Sequence, residues 1–260
     1  MFNEKNLGVG GAVIAGYLEA IADGADILVK VDGDNQMDPS LIPLFVDPII
    51  LGEADYTKGN RFYDLESLSS MPAIRIFGNA ILSFMTKLSS GYWNIFDPTN
   101  GFTALHSSVA RRLPYSKISK RYFFESDMLF RLNLLRAVTV DIPMDSKYGD
   151  EISNLKISKI FSEFLYKHTQ NLMKRILYNY FLRDFSLASI ELLFGLSFLI
   201  FGIIYGGYYW YHANQEQINA PTGTVVLSAM TTLLGMQLLL GFLAYDIRSV
   251  PTKCINKLLE

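Results

Sequence analysis

Two apolar stretches limit what this chain can fold into. From Leu187 to Trp210 it reads LASIELLFGLSFLIFGIIYGGYYW, with Glu191 its only charged residue. From Thr222 to Tyr245 it reads TGTVVLSAMTTLLGMQLLLGFLAY, with no charge at all. Each is about the 20 residues needed to cross a hydrocarbon core of roughly 30 Å. The competing reading, a pair of buried helices in a soluble protein, is disfavoured because two such uncharged stretches in succession are rare in soluble folds. The link YHANQEQINAP holds no Lys or Arg, whereas Lys174, Arg175 and Arg183 precede the pair and Arg248, Lys253 and Lys257 follow it. By the positive-inside rule both ends are cytoplasmic and the link lies outside. Tyr205, Tyr208, Tyr209, Trp210 and Tyr211 form an aromatic belt at the outer edge. Gly195, Gly202, Gly206 and Gly207 offer small surfaces for close helix contact, within the chain or in a homo-oligomer formed through these helices.

The expected organisation is a soluble domain over 1–155, amphipathic juxtamembrane helices over 156–184, two transmembrane helices within 185–247 (about 187–210 and 222–245), and a cytoplasmic tail over 248–260. No signal peptide is read at the start, so the soluble part is expected on the cytoplasmic side of the cell (inner) membrane. Formal net charge is −2, from 23 basic and 25 acidic residues, so no basic footprint for nucleic acid is present. The single cysteine, Cys254, excludes a disulfide framework and a cysteine-ligated zinc site. Before the first apolar stretch, ISKIFSEFLYKHTQNLMKRILYNYFLRD places Ile160, Phe164, Leu165, Leu172, Ile176 and Tyr180 on one broad face. That face fits a core helix of the soluble domain or a helix lying in the membrane interface with its cations toward anionic headgroups.

The soluble part alternates helices with buried strands, which predicts an α/β sheet. GVGGAVIAGYLEAIADGA reads as a glycine-opened helix and ADILVKVDGD as a buried strand of a parallel sheet. SLIPLFVDPIIL, IRIFGNAILSFMTKLS and FFESDMLFRLNLLR read as helices, and ADYTKGNRF, GFTALHS and AVTVDIPM as strands. The opening glycines do not make a dinucleotide fingerprint: Val13 stands where the last glycine is needed, and only seven residues precede the motif. Tight turning and close helix packing are their expected roles.

At the end of the first strand comes KVDGDNQMDPS. Ligands of open α/β sheets bind at the carboxyl ends of strands. There Asp32 and Asp34 can aim at one point, with Gly33 turning the backbone between them. Converging carboxylates repel unless a cation separates them. Mg²⁺ and Mn²⁺ take oxygen ligands and bridge carboxylates to substrate phosphates, and Gln36 adds a neutral oxygen. The plain alternative is an Asx-type turn capping the next helix, the role expected of Asp38 before Pro39.

The series GVGGAVIAGYLEA, ILVKVDGDNQMDPSLIP, ADYTKGNRF, DPTNGFTALH, FFESDMLFRL and VTVDIPMDSKYGDEISNL, in this order, resembles family 2 glycosyltransferases over about residues 5–160. Its nearest likeness is the polyprenyl- or dolichyl-phosphate (dolichyl-phosphate mannose synthase-like) branch. The resemblance implies a GT-A-like fold and inverting transfer of a sugar from a UDP- or GDP-sugar to a polyprenyl phosphate, for cell-envelope glycan or glycoconjugate synthesis. Asp32, Asp34 and Gln36 match the family's metal-binding positions, and a Mg²⁺ or Mn²⁺ ion there neutralises a diphosphate leaving group. Arg61 and Arg75 match positions that gather phosphate oxygens, a task suited to the guanidinium fork. Asn79, one helical turn past Arg75, can face the same ligand. Asp97 and Glu125 resemble acidic positions on the acceptor side. An ionised phosphate needs little base catalysis, so positioning is their expected part. Gly101 is expected to allow backbone approach, and Lys147 lies where relatives carry a phosphate-contacting base. His106 and His168 read as structural. The family begins with a strand leading to a nucleotide-binding acid, roughly 70 residues ahead of the glycine-opened helix. The expectation from its absence is an N-terminally truncated domain, with a catalytically inactive membrane remnant as the alternative function. A processive polysaccharide synthase is disfavoured, since Trp93 and Trp210 sit in no Q-x-x-R-W context.

Overall fold

The computed structural model describes residues 6–34, 36–63, 73–145 and 157–259, with backbone alone at 73–75 and 157–161. The chain divides into two compact units, one of residues 1–175 with 250–260 and one of residues 176–249.

The first unit is a mixed α/β sheet with a hydrophobic core on each face. Its elements are α1 Val9–Ala22, β1 Ile27–Lys30, α2 Ile42–Ile50, β2 Tyr56–Asn60, α3 Ala73–Ser90, β3 Thr103–His106, α4 Ser107–Ala110, α5 Phe124–Leu135 and β4 Thr139–Pro143. The strand order is β1-β3-β2-β4. β3 runs antiparallel to both β1 and β2, and among the described residues only β2 and β4 pair in parallel. The parallel pairing expected of the first strand is therefore corrected: its described neighbour is β3, with Lys30 opposite Thr103.

The alternation of side chains along each strand feeds both cores. Leu28, Tyr56 and Leu105 meet Ile14 and Tyr17 of α1 and Met128, Leu129 and Leu132 of α5. Ala104 and Ile142 turn to the other face, where Phe45 and Ile49 of α2 pack with Phe102. The Phe45 and Phe102 rings stack at 4.0 Å, and both are fully buried. Truncating either to Ala removes about 3–5 kcal/mol of stability.

α6, Ile157–Leu177, turns a polar face to this unit. Ser89 Oγ lies 2.7 Å from His168 Nδ1, Asn171 donates to Asp127 at 3.0 Å, and Arg175 donates to the Leu88 carbonyl at 2.7 Å. The packed face is thus Phe164, His168, Asn171 and Arg175, while Leu165, expected on it, is exposed beside Tyr166 and Met173. Polar groups with partners at this surface, rather than apolar periodicity alone, set the rotation of the helix. His168 is structural, as its burial shows.

Residues after the second apolar helix do not form a free tail. Val250, Ile255 and Leu259, the last on α9 (Asn256–Leu259), pack on the α1/α5 core. The fully buried Asp55 carboxylate accepts the Ile255 amide at 3.0 Å, the Asn256 amide at 2.8 Å and the Val138 amide at 2.7 Å.

The second unit is a helical hairpin of α7 Leu187–Gln215 and α8 Thr222–Arg248. Only 28% and 11% of their most apolar windows are buried, so they are not core helices of a globule. Three of the four expected glycines make the hairpin contact. A Cβ would lie 3.0 Å from Leu239 at Gly195, 2.4 Å from Thr232 at Gly202 and 2.1 Å from Ser228 at Gly206, whereas Gly207 faces open space.

Candidate active site

The strand ends bring Asp32, Asp34, Arg61, Asp97, Gly101 and Glu125 to one end of the sheet. β1 delivers Lys30 and the acidic turn, and β2 delivers Lys58, Asn60 and Arg61. Because β3 is antiparallel, the loop before it brings Asp97, Asn100 and Gly101 to the same end, where α5 opens with Glu125 in its first turn. A cleft of about 570 Å³ lies there, lined by Gln36, Asp38, Leu41, Tyr63, Pro143, Met144 and Asp145.

Lys30 is the hub. Its ammonium lies 2.8 Å from Asp32 Oδ1 and 3.4 Å from Glu125 Oε1, and donates to the Gly101 carbonyl at 3.1 Å. Gly101 allows backbone approach as expected: a Cβ there would fall 1.9 Å from Asp32 Oδ2. Asp34 Oδ1 accepts the Gln36 amide at 3.1 Å, and Asp38 caps the next turn by accepting the Ser40 amide at 2.9 Å.

Arg61 grips Asp97 in a two-pronged pair, Nε to Oδ2 at 2.7 Å and Nη2 to Oδ1 at 3.0 Å. Asp97 is fully buried. It holds the Arg61 guanidinium in place, and the Arg61 amide also donates to it at 3.3 Å. Asn79, on α3, has a buried amide nitrogen without a hydrogen-bond partner among the described residues. Arg75 lies on the same helix, but its side chain is outside the described residues, as is all of Lys147.

Lys58 and Asp141 did not emerge from the motifs. Lys58 is fully buried and donates to the Asn100 carbonyl; burial pushes its ammonium down to about 8. Burial likewise raises the Asp141 carboxyl to about 6, although Asn60 and the Phe96 amide each donate to Oδ2 at 3.0 Å. The available signal was a lysine inside a strand expected to be buried, in ILVK and again in YTKGN, since lysine is almost never buried without a partner.

Among the described residues no group of three or more His, Cys, Asp or Glu gathers to hold a metal ion. The Asp32–Asp34–Gln36 turn offers two carboxylates and an amide oxygen. That hard-donor set fits a Mg²⁺ or Mn²⁺ ion whose remaining ligands are water and phosphate oxygens. Both carboxylates reach solvent, Asp32 partly and Asp34 fully.

Residues 1–113 match the sequence profile described as Glycosyl transferase family 2. The match covers under half of the chain. The chain is 34% identical over 148 residues to the UDP-N-acetylglucosamine–dolichyl-phosphate N-acetylglucosaminyltransferase of Methanococcus voltae, covering 57% of this chain and 59% of that protein. It is 30% identical over 138 residues to the undecaprenyl-phosphate mannosyltransferase of Micrococcus luteus, covering 53% and 56%. It thus spans somewhat under three-fifths of the length of these curated relatives. The solved glucosyl-3-phosphoglycerate synthase of Mycobacterium tuberculosis is similar at 18% identity and a TM-score of 0.42, over 65% of this chain and 55% of that one. The matched segment carries the acidic turn, Arg61, Asp97 and Gly101.

Proposed function

We propose that the protein is a membrane-anchored, inverting glycosyltransferase that moves a sugar from a nucleoside-diphosphate sugar to a polyprenyl phosphate. The observation that carries this reading is the meeting of the acidic turn, the Arg61–Asp97 pair and Glu125 at one end of the sheet, in a chain whose residues 1–113 match family 2. The two relatives named for dolichyl and undecaprenyl phosphate favour the lipid acceptor, and UDP-N-acetylglucosamine is the first donor to test.

In the proposed reaction an ionised phosphate oxygen of the acceptor attacks the anomeric carbon. The bond from that carbon to the donor diphosphate breaks, and the nucleoside diphosphate leaves with the electron pair. No proton has to be removed from the attacking group. Asp32, Asp34 and Gln36 would hold a divalent ion, which supplies positive charge to the leaving diphosphate. Arg61, fixed by Asp97, presents its cation to phosphate oxygens. Glu125, tied to Lys30, orients that side of the cleft. Arg75, Asn79 and Lys147 are proposed as further phosphate contacts. α7 and α8 span the cell membrane, with the catalytic unit cytoplasmic. The exposed Leu165, Tyr166 and Met173 of α6 lie at its surface.

The test is incorporation of labelled sugar into polyprenyl phosphate by membranes carrying the full chain, with Mg²⁺ or Mn²⁺ supplied or chelated. Asp34→Ala is expected to lower incorporation at least about 100-fold, and Arg61→Lys about 10-fold, through loss of the two-pronged grip. Undiminished incorporation in Asp34→Ala defeats the metal assignment. No incorporation from any UDP- or GDP-sugar defeats the reaction.

A further inference from the structure

The buried ammonium of Lys30 sits where an ion would be expected to act, and the site as read so far gives it no task. Its side chain is 6% exposed, whereas that of Asp32 is 37% exposed, so the cation lies beneath the turn and the carboxylate at its rim. The three described acceptors, Asp32 Oδ1, Gly101 O and Glu125 Oε1, match the three donors of an ammonium. A lysine satisfied in this way is fixed, because leaving any of these contacts strands a buried charge. Asp32 is held in the same packing, one oxygen on Lys30 and the other where a Cβ of Gly101 would stand, so that no side chain fits there.

The ammonium therefore stands one carboxylate away from any cation on Asp32. Lys30 offsets part of the carboxylate charge that draws a divalent ion and repels an ion that arrives alone. A nucleoside diphosphate reverses the balance, since its negative oxygens offset both cations. We propose that Lys30 is a built-in counter-ion of the acidic turn, setting its affinity for a bare divalent ion low so that the ion is taken up together with the nucleoside diphosphate. Lys30 is a positioning residue here, acting through Asp32. The inference rests on the metal reading of the turn.

Calorimetric titration of the full chain in detergent tests it, with MnCl₂ alone and with MnCl₂ in the presence of UDP or GDP. Wild type is expected to bind Mn²⁺ weakly alone and more tightly with a diphosphate. Lys30→Met is expected to bind Mn²⁺ alone at least about five-fold more tightly and to gain less from the diphosphate, because the repelling charge is gone. Lys30→Gln, which keeps hydrogen-bonding capacity, serves if the methionine variant does not fold, and Lys30→Arg is expected to restore wild-type behaviour. Gly101→Ala, which displaces Asp32, is expected to weaken Mn²⁺ binding with or without diphosphate. Folded Lys30→Met or Lys30→Gln with unchanged or weaker Mn²⁺ affinity overturns the inference alone. Absence of Mn²⁺ binding in every variant, with and without either diphosphate, overturns it together with the metal reading.

Discussion

Asp141 and His168 show what burial does to single titrating groups, and the two work in opposite directions. Burial raises the Asp141 carboxyl to about 6 and lowers the His168 imidazole to about 4. Among the described residues Asp141 Oδ1 and His168 Nε2 are both buried without a hydrogen-bond partner, so neither charged form is well solvated. For Asp141 the folded chain holds the proton more tightly than the unfolded one. Its contribution is full below about pH 4 and is lost as pH rises through 6. For His168 the folded chain holds the proton less tightly, so its contribution is full above about pH 6.5 and is lost as pH falls through 4. Each amounts to ~3 kcal/mol at most, from 1.4 kcal/mol per pH unit of displacement, and the two offset each other over nearly the same window. Denaturant titrations of detergent-solubilised protein between pH 4 and 6.5 separate them. Asp141→Asn is expected to leave stability rising with pH, and His168→Gln to leave it falling. Parallel pH profiles in both variants and wild type refute this pairing.

At the scale of elements, periodicity made most of the fold legible. The helix of FFESDMLFRLNLLR and the strand of ADYTKGNRF stand where their apolar pattern put them, because their cores lie on the faces the pattern defines. Strand direction was not legible. GFTALHS has the same composition whether it runs up or down, and pairing is decided by partners distant in sequence. The acidic turn could be found from its motif, since two carboxylates at a strand end are rare without a reason. The lysines beneath it could not be assigned from the sequence, because, Asp32 apart, their partners are carbonyls and a carboxylate brought in from 42 to 95 residues away. Asp55 illustrates the same limit: three of its hydrogen bonds reach the C-terminal segment across about 200 residues. Removing that acceptor leaves several amides unpaired, at about 1–3 kcal/mol each. Asp55→Ala is therefore expected to release 250–259 from the unit. Hydrogen exchange at Ile255 and Asn256 is expected to speed up by at least about 100-fold, and unchanged exchange there refutes the clamp.

For the whole molecule, the chain leaves the α/β unit at residue 175 and re-enters it at residue 250. Two spans between parts of one compact unit have to start and finish on the same side of a membrane. Cations flank the hairpin and the link from Tyr211 to Pro221 has none, the charge pattern expected where both ends are cytoplasmic. Cys254, whose thiol burial pushes up to about 11, makes a poor nucleophile, and its replacement by Ser gives a clean background. In that background a cysteine at Glu216, on the link, is expected to react with a membrane-impermeant maleimide added to intact cells. A cysteine at Lys253 is expected to react only after the membrane is opened. Labelling of both positions from the same side before permeabilisation would mean that α7 and α8 do not cross as a hairpin.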